Sequence, residues 1–206
     1  MYRKKSSFII GFHGCDEKTR DYVVNGGDLK PSSNIYDWLG NGIYFWENDP
    51  QRAMEWAEQL AQSPKSSVKK PSVVGAIIDL GNCLDLLNRE SIPILRRGYE
   101  FLKIACESND LPLPQNKNSK NDVYSDLLLR ELDCAVIQRI HTILKESDPS
   151  LNTSFDSVRG LFLEGAEIYP GSAFREKTHS QICVINPNCI KGYFVPRKMN
   201  TAYPIP

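Results

Sequence analysis

Three consecutive aromatic residues, Tyr44 to Trp46, stand between a glycine-rich entry and the start of a helix. The whole segment reads Gly-Asn-Gly-Ile-Tyr-Phe-Trp-Glu-Asn-Asp-Pro over residues 40–50. The aromatic run favours a strand over 42–46, and an aspartate followed by proline is typical of a helix N-terminus. The segment therefore predicts one strand and one helix with little chain between them.

The remaining patterns predict an α+β domain. Short segments rich in β-branched or aromatic residues predict further strands at 8–13, 73–80, 158–164, 181–185 and 192–195. Apolar spacing predicts a helix from Pro50, a second from near Ser91 and a long third one over about 122–144. Because the strands do not alternate regularly with helices, a mostly antiparallel sheet is favoured over a doubly wound parallel one.

Length and charge limit the class of protein. A chain of 206 residues fits a single domain over 1–206, with a helical insertion at about 90–147. The 25 basic and 25 acidic residues cancel, so no global charge attracts the chain to nucleic acid. Short basic runs near 65–70 and 96–97 leave local basic patches open.

Cysteine spacing and hydropathy bear on cofactors and compartment. The six cysteines form no Cys-x-x-Cys pair and no Cys/His cluster at zinc spacing, so no metal site is expected. The apolar run from Phe8 to Ile10 is too short for a signal peptide, and no stretch reaches the roughly 20 apolar residues of a membrane span. We therefore expect a reduced, cytoplasmic protein with no membrane partner.

Two early elements carry side chains suited to ligand binding. His13 ends an apolar strand between Gly11 and Gly14, and glycine lets a ligand approach the backbone closely. A half-buried structural histidine is the simpler interpretation. Alternation puts Tyr44 and Trp46 on one face of their strand, where two rings could form a stacking platform for a planar ligand. An aromatic core strand explains them equally well, so both interpretations stay open.

A late strand also begins with polar residues. In the segment Thr-His-Ser-Gln-Ile-Cys-Val over 178–184, period two puts His179, Gln181 and Cys183 on one face. Polar groups leading an otherwise apolar strand indicate the lip of a pocket. Alternatively, Gln181 only satisfies a backbone group at a strand edge.

Together, these three elements resemble the ADP-ribosyltransferase superfamily, and within it the His-Tyr-Glu branch that includes poly(ADP-ribose) polymerases and diphtheria-toxin-like enzymes. The resemblance lies in His13-Gly14 on a first strand, in Gly-Ile-Tyr-Phe at 42–45 before a helix with an early alanine, and in a polar residue leading a late strand. Residues 63–154 match little of it. The resemblance implies an ADP-ribosyltransferase-like fold, with two small, mostly antiparallel sheets forming an NAD cleft and peripheral helices.

The resemblance implies that NAD is the substrate and gives each matching residue a role. His13 would hydrogen-bond a ribose hydroxyl, and the backbone of Gly14 would hold the nicotinamide carboxamide. Tyr44 would stack on the nicotinamide ring, and the adjacent Phe45 is assigned to the NAD-binding residues. The physics agrees, because an aromatic face attracts a flat, cationic ring.

Three residues outside these motifs are secondary candidates. Ser33 and Asn34 could line the mouth of the pocket, and Arg159 could pair with the pyrophosphate. Each residue is more often an ordinary turn or surface residue. No metal, and no cofactor besides NAD as substrate, is expected.

The glutamate that gives the branch its name is replaced in this chain. Its position matches Gln181, which keeps a hydrogen bond to a ribose hydroxyl but not the negative charge. Cleavage of the nicotinamide–ribose bond passes through an oxocarbenium-like state, so a nearby carboxylate would compensate. Glu164 ends a predicted strand, and a rigid element would hold it in place. We favour it over three alternatives, Glu47, Glu167 and Glu176.

The resemblance implies a mono-ADP-ribosyltransferase that cleaves NAD and modifies a macromolecular acceptor, either protein or nucleic acid. A compact transferase of this kind resembles bacterial toxins and phage-defence effectors, which implies a possible antitoxin or immunity protein as a partner. Three alternatives stay open. They are a catalytically silent NAD or ADP-ribose binding module, an NAD glycohydrolase with water as acceptor, and an α+β interaction protein whose Tyr44 strand is core.

Overall fold

The computed structural model describes residues 8–120, 123–147, 154–198 and 200–204. Four α-helices and nine strands lie in these ranges, in the order β1 (Ile9–Asp16), α1 (Glu17–Val24), β2 (Ile43–Glu47), α2 (Pro50–Ala61), β3 (Pro71–Ile78), β4 (Cys83–Asp85), α3 (Ile92–Ser108), β5 (Asn116–Lys117), β6 (Leu129–Arg130), α4 (Glu131–Ser147), β7 (Ser157–Phe162), β8 (His179–Val184) and β9 (Ile190–Phe194). Helices α3 and α4 and the short strands β5 and β6 lie within 90–147, the range predicted as a helical insertion.

Seven of the strands form one sheet in the order β4-β7-β8-β2-β1-β3-β9, and β5 pairs with β6 in a separate ribbon. Neighbouring strands are antiparallel except β4 and β7, which are parallel. The prediction of an α+β chain with a mostly antiparallel sheet is confirmed. The expectation of two small sheets is wrong, because pairing between β1 and β2 joins both groups of strands into one large sheet.

The pairing between β1 and β2 is short. Among the described residues it covers two positions, Gly11 opposite Glu47 and Phe12 opposite Trp46. β1 then continues beside β3 as far as Asp16, whereas β2 runs beside β8. The backbone pairing between β1 and β2 therefore stops after these two positions. Beyond them, a gap separates the β1-β3-β9 group of strands from the β2-β8-β7-β4 group.

On one side of the sheet, both groups of strands share a core. Cys15 of β1, Phe45 of β2, Val74 of β3 and Ile182 of β8 are buried there together. We call this side the Phe45 face. Because side chains alternate along a strand, Tyr44 and Trp46 lie on the other side.

The opposite side, the Trp46 face, carries two separate clusters. Helices α3 and α4 cover one of them, in which Leu84 and Val158 are buried beside Cys183. Helix α2 covers the other, in which Trp46 packs with Ala53. The candidate site connects these two clusters.

The helix predictions have mixed outcomes. Helix α2 begins as predicted, because the Asp49 carboxylate accepts the N–H of Arg52 at 2.8 Å and Pro50 occupies the first turn. The long helix begins at Glu131, so its predicted first turns are wrong: Ser125 and Leu127 have φ values of 59° and 53°, outside the helical region. The predicted start near 122 lies outside the described residues. Sequence patterns did not predict α1, β4, β5 or β6.

None of the helices within the described ranges is both long enough and apolar enough to cross a membrane.

Candidate active site

Five rings form a continuous row on the Trp46 face, which we call the aromatic row: Trp38, Phe162, His179, Trp46 and Trp56. Successive ring centroids lie 5.2, 5.6, 6.1 and 6.1 Å apart, and the rings of Phe162 and His179 are stacked with 7° between their planes. Strand register explains the centre of the row, because Phe162 of β7 lies opposite His179 of β8. All three tryptophans of the chain belong to it.

An arginine lies against each part of the aromatic row. The Cζ of Arg130 is 3.8 Å from the centroid of Phe162 and 5.3 Å from that of Trp38. The Cζ of Arg52 lies 6.0 Å from the centroid of Trp46. Aromatic faces attract cations through the ring quadrupole. The row is therefore a set of aromatic surfaces with a positive charge near each end.

Arg52 is also the partner of Glu164. Its Nη2 donates to both carboxylate oxygens, at 2.9 and 2.8 Å, and so ties the first turn of α2 to the chain just after β7. The Nδ1 of His179 lies 3.8 Å from Glu164 Oε2. The predicted carboxylate is therefore held beside the aromatic row by a residue that the sequence did not single out.

His179 has a defined protonation state in this setting. Its Nδ1 lies 2.6 Å from the carbonyl oxygen of Lys177, and a carbonyl can only accept, so Nδ1 carries the proton. Burial lowers the pKa of the ring below its usual value, which favours the neutral form. The lone pair of His179 therefore resides on Nε2.

Four buried polar atoms at this place have no hydrogen-bond partner among the described residues. They are Trp46 Nε1, Arg52 Nε, Thr178 Oγ1 and His179 Nε2. Buried polar groups are normally hydrogen-bonded, because leaving one unpaired costs about 1–3 kcal/mol. These unpaired donors and acceptors belong to residues that lie close together, and they could be satisfied by a polar ligand bound there.

Gln181 lies on the same face, in the strand position that the sequence predicts. Its Oε1 accepts the indole N–H of Trp38 at 2.7 Å, and the residue is only 8% exposed. It lies between Trp46 of β2 and Gly160 of β7. Gln181 therefore fixes one end of the aromatic row and is not an exposed lip residue.

His13 lies on the other side of the sheet. Its ring packs edge-on against Phe45, with centroids 5.9 Å apart, and its Nδ1 donates to the Tyr44 carbonyl at 2.8 Å. Burial lowers its pKa. The Tyr44 carbonyl points toward β1 at the place where backbone pairing between β1 and β2 has stopped. The His13 ring therefore supplies the hydrogen bond that a backbone N–H of β1 would otherwise donate. Of the side chains that the resemblance assigns to NAD, His13 and Phe45 therefore point to one face, and Tyr44 and Gln181 to the other.

Gly14 directs its backbone into the gap between the strand groups. The N–H of Asn48 donates to the Ile10 carbonyl at 2.9 Å, so alternate residues of β1, Phe12 and Gly14, also turn their backbone groups toward β2. The ladder ends after Phe12, which leaves Gly14 facing the gap. A Cβ at Gly14 would overlap the carbonyl oxygen of Ala53, so glycine also allows α2 to pack on β1.

The aromatic strand mainly builds the core. Phe45 is fully buried in the shared core of the Phe45 face, so its ring offers no surface to a ligand. The Tyr44 hydroxyl donates to the Gly40 carbonyl at 2.8 Å and accepts the Leu39 N–H at 3.0 Å, and burial raises its pKa. Of the expected platform, Trp46 belongs to the aromatic row and Tyr44 does not.

The secondary candidates, Arg159, Ser33 and Asn34, belong neither to the aromatic row nor to the buried polar atoms beside it. Arg159 donates hydrogen bonds from Nε and Nη2 to the carboxylate of Glu47, at 2.7 and 2.8 Å. Its Nη1 lies 3.4 Å from Asp85 Oδ2. Arg159 lies on the Phe45 face, opposite Ile182 of β8. Ser33 is exposed in the connection between α1 and β2. The expected pyrophosphate role would require Arg159 to exchange its carboxylates for phosphate.

Two open cavities lie near the aromatic row, one lined by Trp38 and the other by Arg52. At the Trp38 end, a cavity of about 710 Å³ is lined mainly by apolar side chains of α3 and α4, with Arg130 at its edge. At the Arg52 end, a cavity of about 760 Å³ lies between α2 and residues 176–178. In the described part of the chain, no group of three or more His, Cys, Asp or Glu side chains is arranged to hold a metal ion.

Sequence reasoning missed six residues of the site: Trp38, Arg52, Trp56, Arg130, Phe162 and Thr178. One signal was available for Arg52, which follows the predicted N-cap Asp49 by three positions and precedes Ala53 on the predicted apolar face. An arginine at the edge of an apolar helix face is a candidate for a buried ion pair. Nothing in the sequence identifies its partner.

Comparison with known proteins adds one relative. No protein-family model and no solved structure matches the chain. The chain is similar to an uncharacterized protein of Methanocaldococcus jannaschii, with 26% identity over 196 residues, covering 87% of this chain and 83% of the relative. The name of that protein states no activity. The geometry of the site is therefore the basis for assigning a function to this chain.

Proposed function

We propose that the protein is an ADP-ribosyltransferase that cleaves NAD beside the aromatic row and transfers ADP-ribose to a macromolecule. One observation carries the proposal. The three motif elements, His13-Gly14, residues 42–45 and Gln181, are far apart in sequence but lie on the adjacent strands β1, β2 and β8. Beside them lies the group of buried polar atoms without partners.

The nicotinamide end of NAD finds suitable partners here. Its ring is flat and cationic, and the Trp56 end of the aromatic row, where Trp56 is 38% exposed, provides an aromatic face for it. Its carboxamide needs both a donor and an acceptor, which the backbone N–H and C=O of Gly14 supply where they face the gap. The apolar cavity beside Trp38 and Arg130 has the size and character of a small-molecule site and would take the remainder of NAD.

The reaction requires stabilisation of a positive ribose. The bond between C1′ and the pyridinium nitrogen breaks, and its electron pair stays on that nitrogen, which releases neutral nicotinamide. A nucleophilic atom of the acceptor then bonds to C1′ and loses its proton. The Gln181 amide would hold a ribose hydroxyl, and the Glu164 carboxylate, positioned by Arg52, would stabilise the oxocarbenium-like charge.

A specific observation favours a second candidate, a binding module that does not turn NAD over. Gln181 brings a neutral amide to the position that the resemblance assigns to a glutamate, and its oxygen is already occupied by the Trp38 N–H. A module of this kind would bind NAD or ADP-ribose through the same aromatic row. Hydrolysis of NAD, with water as acceptor, would need no macromolecule.

One labelling experiment separates these functions. Purified protein is incubated with NAD labelled in its adenylate phosphate and with cell lysate, and the products are treated with protease or with nuclease. Label removed by only one of the two treatments identifies a protein or a nucleic-acid acceptor and supports transfer. Free ADP-ribose alone supports hydrolysis, and binding without turnover supports the module. A protein that shows neither binding nor turnover of NAD would overturn all three functions.

The proposal extends to a role in cells. A compact transferase of this type would act inside a bacterium as a toxin or defence effector, with an antitoxin or immunity protein to restrain it. Induced expression should then stop growth of a bacterial host, whereas expression of Glu164→Gln should not. Equal growth with both proteins at equal expression would contradict the toxin role.

A further inference from the structure

The cavity at the Arg52 end of the aromatic row has a marked charge. We call it the acidic cavity; it is lined by Asp49, Gln51, Arg52, Glu55, Glu58, Gln59, Gln62, Glu176, Lys177 and Thr178. Four of these side chains are carboxylates and two are cations. One cation, Arg52, is already bonded to Glu164 outside the cavity and lies 3.9 Å from Glu55. The walls therefore carry an excess of negative charge.

A second observation points to a ligand in this cavity, because two of its lining residues carry buried polar atoms without partners among the described residues. Arg52 is only 6% exposed, and its Nε–H has no hydrogen-bond partner among the described residues. The hydroxyl of Thr178, another lining residue, is buried and likewise unpartnered within the described chain. A guanidinium N–H can only donate, so it requires an acceptor such as a peptide carbonyl, and the hydroxyl can serve either group of a peptide bond.

We propose that the acidic cavity binds the acceptor, and that the acceptor is a protein segment carrying a lysine or arginine. The proposal rests on the transferase function argued above. The carboxylate walls attract the basic side chain, while Arg52 Nε and Thr178 Oγ1 bind the backbone of the same segment. Arg52 also bonds to Glu164, so a single residue separates a segment held here from the carboxylate beside the aromatic row.

The same charge disfavours nucleic acid as the acceptor. A nucleic acid brings a phosphate with each nucleotide, and binding proteins neutralise these phosphates with lysine and arginine. Asp49 at the N-cap of α2, and Glu55 and Glu58 along the helix, would repel them instead. The exposed Lys70, which belonged to the basic run near 65–70, lies 3.4 Å from Glu17 and so has a carboxylate neighbour of its own.

The test is a binding measurement without NAD. A fluorescein-labelled Gly-Ser peptide containing arginines is titrated with the protein at low salt, and anisotropy reports the affinity. The same peptide with glutamine in place of arginine, and a single-stranded DNA of similar length, serve as comparison probes. The site variant is Glu55→Gln/Glu58→Gln. The matched control is Glu107→Gln/Glu146→Gln, which removes the same charge from exposed positions near the C-terminal ends of α3 and α4.

The proposal predicts that the arginine peptide binds more tightly than either comparison probe. The site variant should weaken that binding about five-fold, and the control variant should change it less than about two-fold. Equal weakening by both variants, tighter binding of DNA, or equal binding of the glutamine peptide would overturn it. Because no NAD is present, a protein without transferase activity would still give a result. Conversely, transfer to acceptors without basic residues would refute this inference and leave the transferase function standing.

Discussion

Arg52 Nη2 donates to both carboxylate oxygens of Glu164, at 2.9 and 2.8 Å, and both side chains are largely buried, with 7% and 13% exposure. A buried charge that loses its partner is costly, because the partner no longer offsets its desolvation. Arg52→Met should therefore lower the free energy of unfolding by about 3–5 kcal/mol. Urea unfolding followed by tryptophan fluorescence measures this change.

The double variant Arg52→Met/Glu164→Leu is the control for that prediction. It removes both charges and fills the space with apolar groups, so it should recover most of the lost stability. A double variant as unstable as Arg52→Met would show that the two side chains contribute separately and do not act as a pair.

Gly14 should tolerate no side chain. A Cβ there would overlap the Ala53 carbonyl oxygen, a backbone atom of α2 that cannot move alone. We expect Gly14→Ala to cost about 1–3 kcal/mol, measured by thermal or urea unfolding. Gly192→Ala in β9 is the matched control, because a Cβ there meets no atom within 4 Å, and it should be neutral or slightly stabilising. Equal effects of the two substitutions would contradict the close packing of α2 on β1.

His141 should make stability depend on pH. It is buried, both ring nitrogens lack partners among the described residues, and burial, with a smaller contribution from Lys145, lowers its pKa to about 4. Its unfolded pKa is about 6.5, so the unfolded chain takes up the proton first, and stability present above that pH is lost as pH falls toward 4. The loss from this residue between pH 7 and pH 5 should be about 2 kcal/mol.

Replacing His141 isolates its share of that loss. His13 and His179 also have lowered pKa values, so the wild type should lose additional stability over the same range. Urea unfolding at pH 7 and at pH 5 should find that His141→Leu loses about 2 kcal/mol less than the wild type. An identical loss in both proteins would mean that His141 is not held neutral in the fold.

Gln181→Glu tests whether the missing negative charge limits the rate of NAD cleavage. The new carboxylate can still accept the Trp38 N–H, so the end of the aromatic row should stay in place. It adds charge where the oxocarbenium-like state would develop, so NAD cleavage should rise about ten-fold or more. The rate of nicotinamide release measures the effect. An unchanged rate in a folded variant would place Gln181 outside the reacting centre.

Local chemistry explains which parts of the fold were predictable. Strand β2 and helix α2 could be predicted from residues that are close in sequence. The start of the helix, for example, depends on Asp49 and Pro50, whose contacts lie within one turn. The long helix was predicted too early because Val123 and Leu127 continue its apolar spacing. Both residues are exposed in the structure, at 82% and 41%, so the spacing there does not reflect a buried face.

The site was predictable only in part. Period two correctly put His179, Gln181 and Cys183 on one face, since alternation is a property of any strand. The same rule could not reveal that His13 points to the opposite face from Tyr44, because that depends on how β1 and β2 pair. The pair of Arg52 with Glu164 joins residues 112 positions apart, and only the packed sheet brings them together.

The most direct test of the central claim is nicotinamide release from NAD by the purified protein. Glu164→Gln should reduce the rate about 100-fold while NAD still quenches the fluorescence of the three tryptophans in the aromatic row. Glu47→Gln makes the same change on the Phe45 face, where the carboxylate bonds to Arg159, and should retain the rate within about two-fold. Loss of release in Glu47→Gln but not in Glu164→Gln, or a wild type that neither binds nor cleaves NAD, would contradict the account.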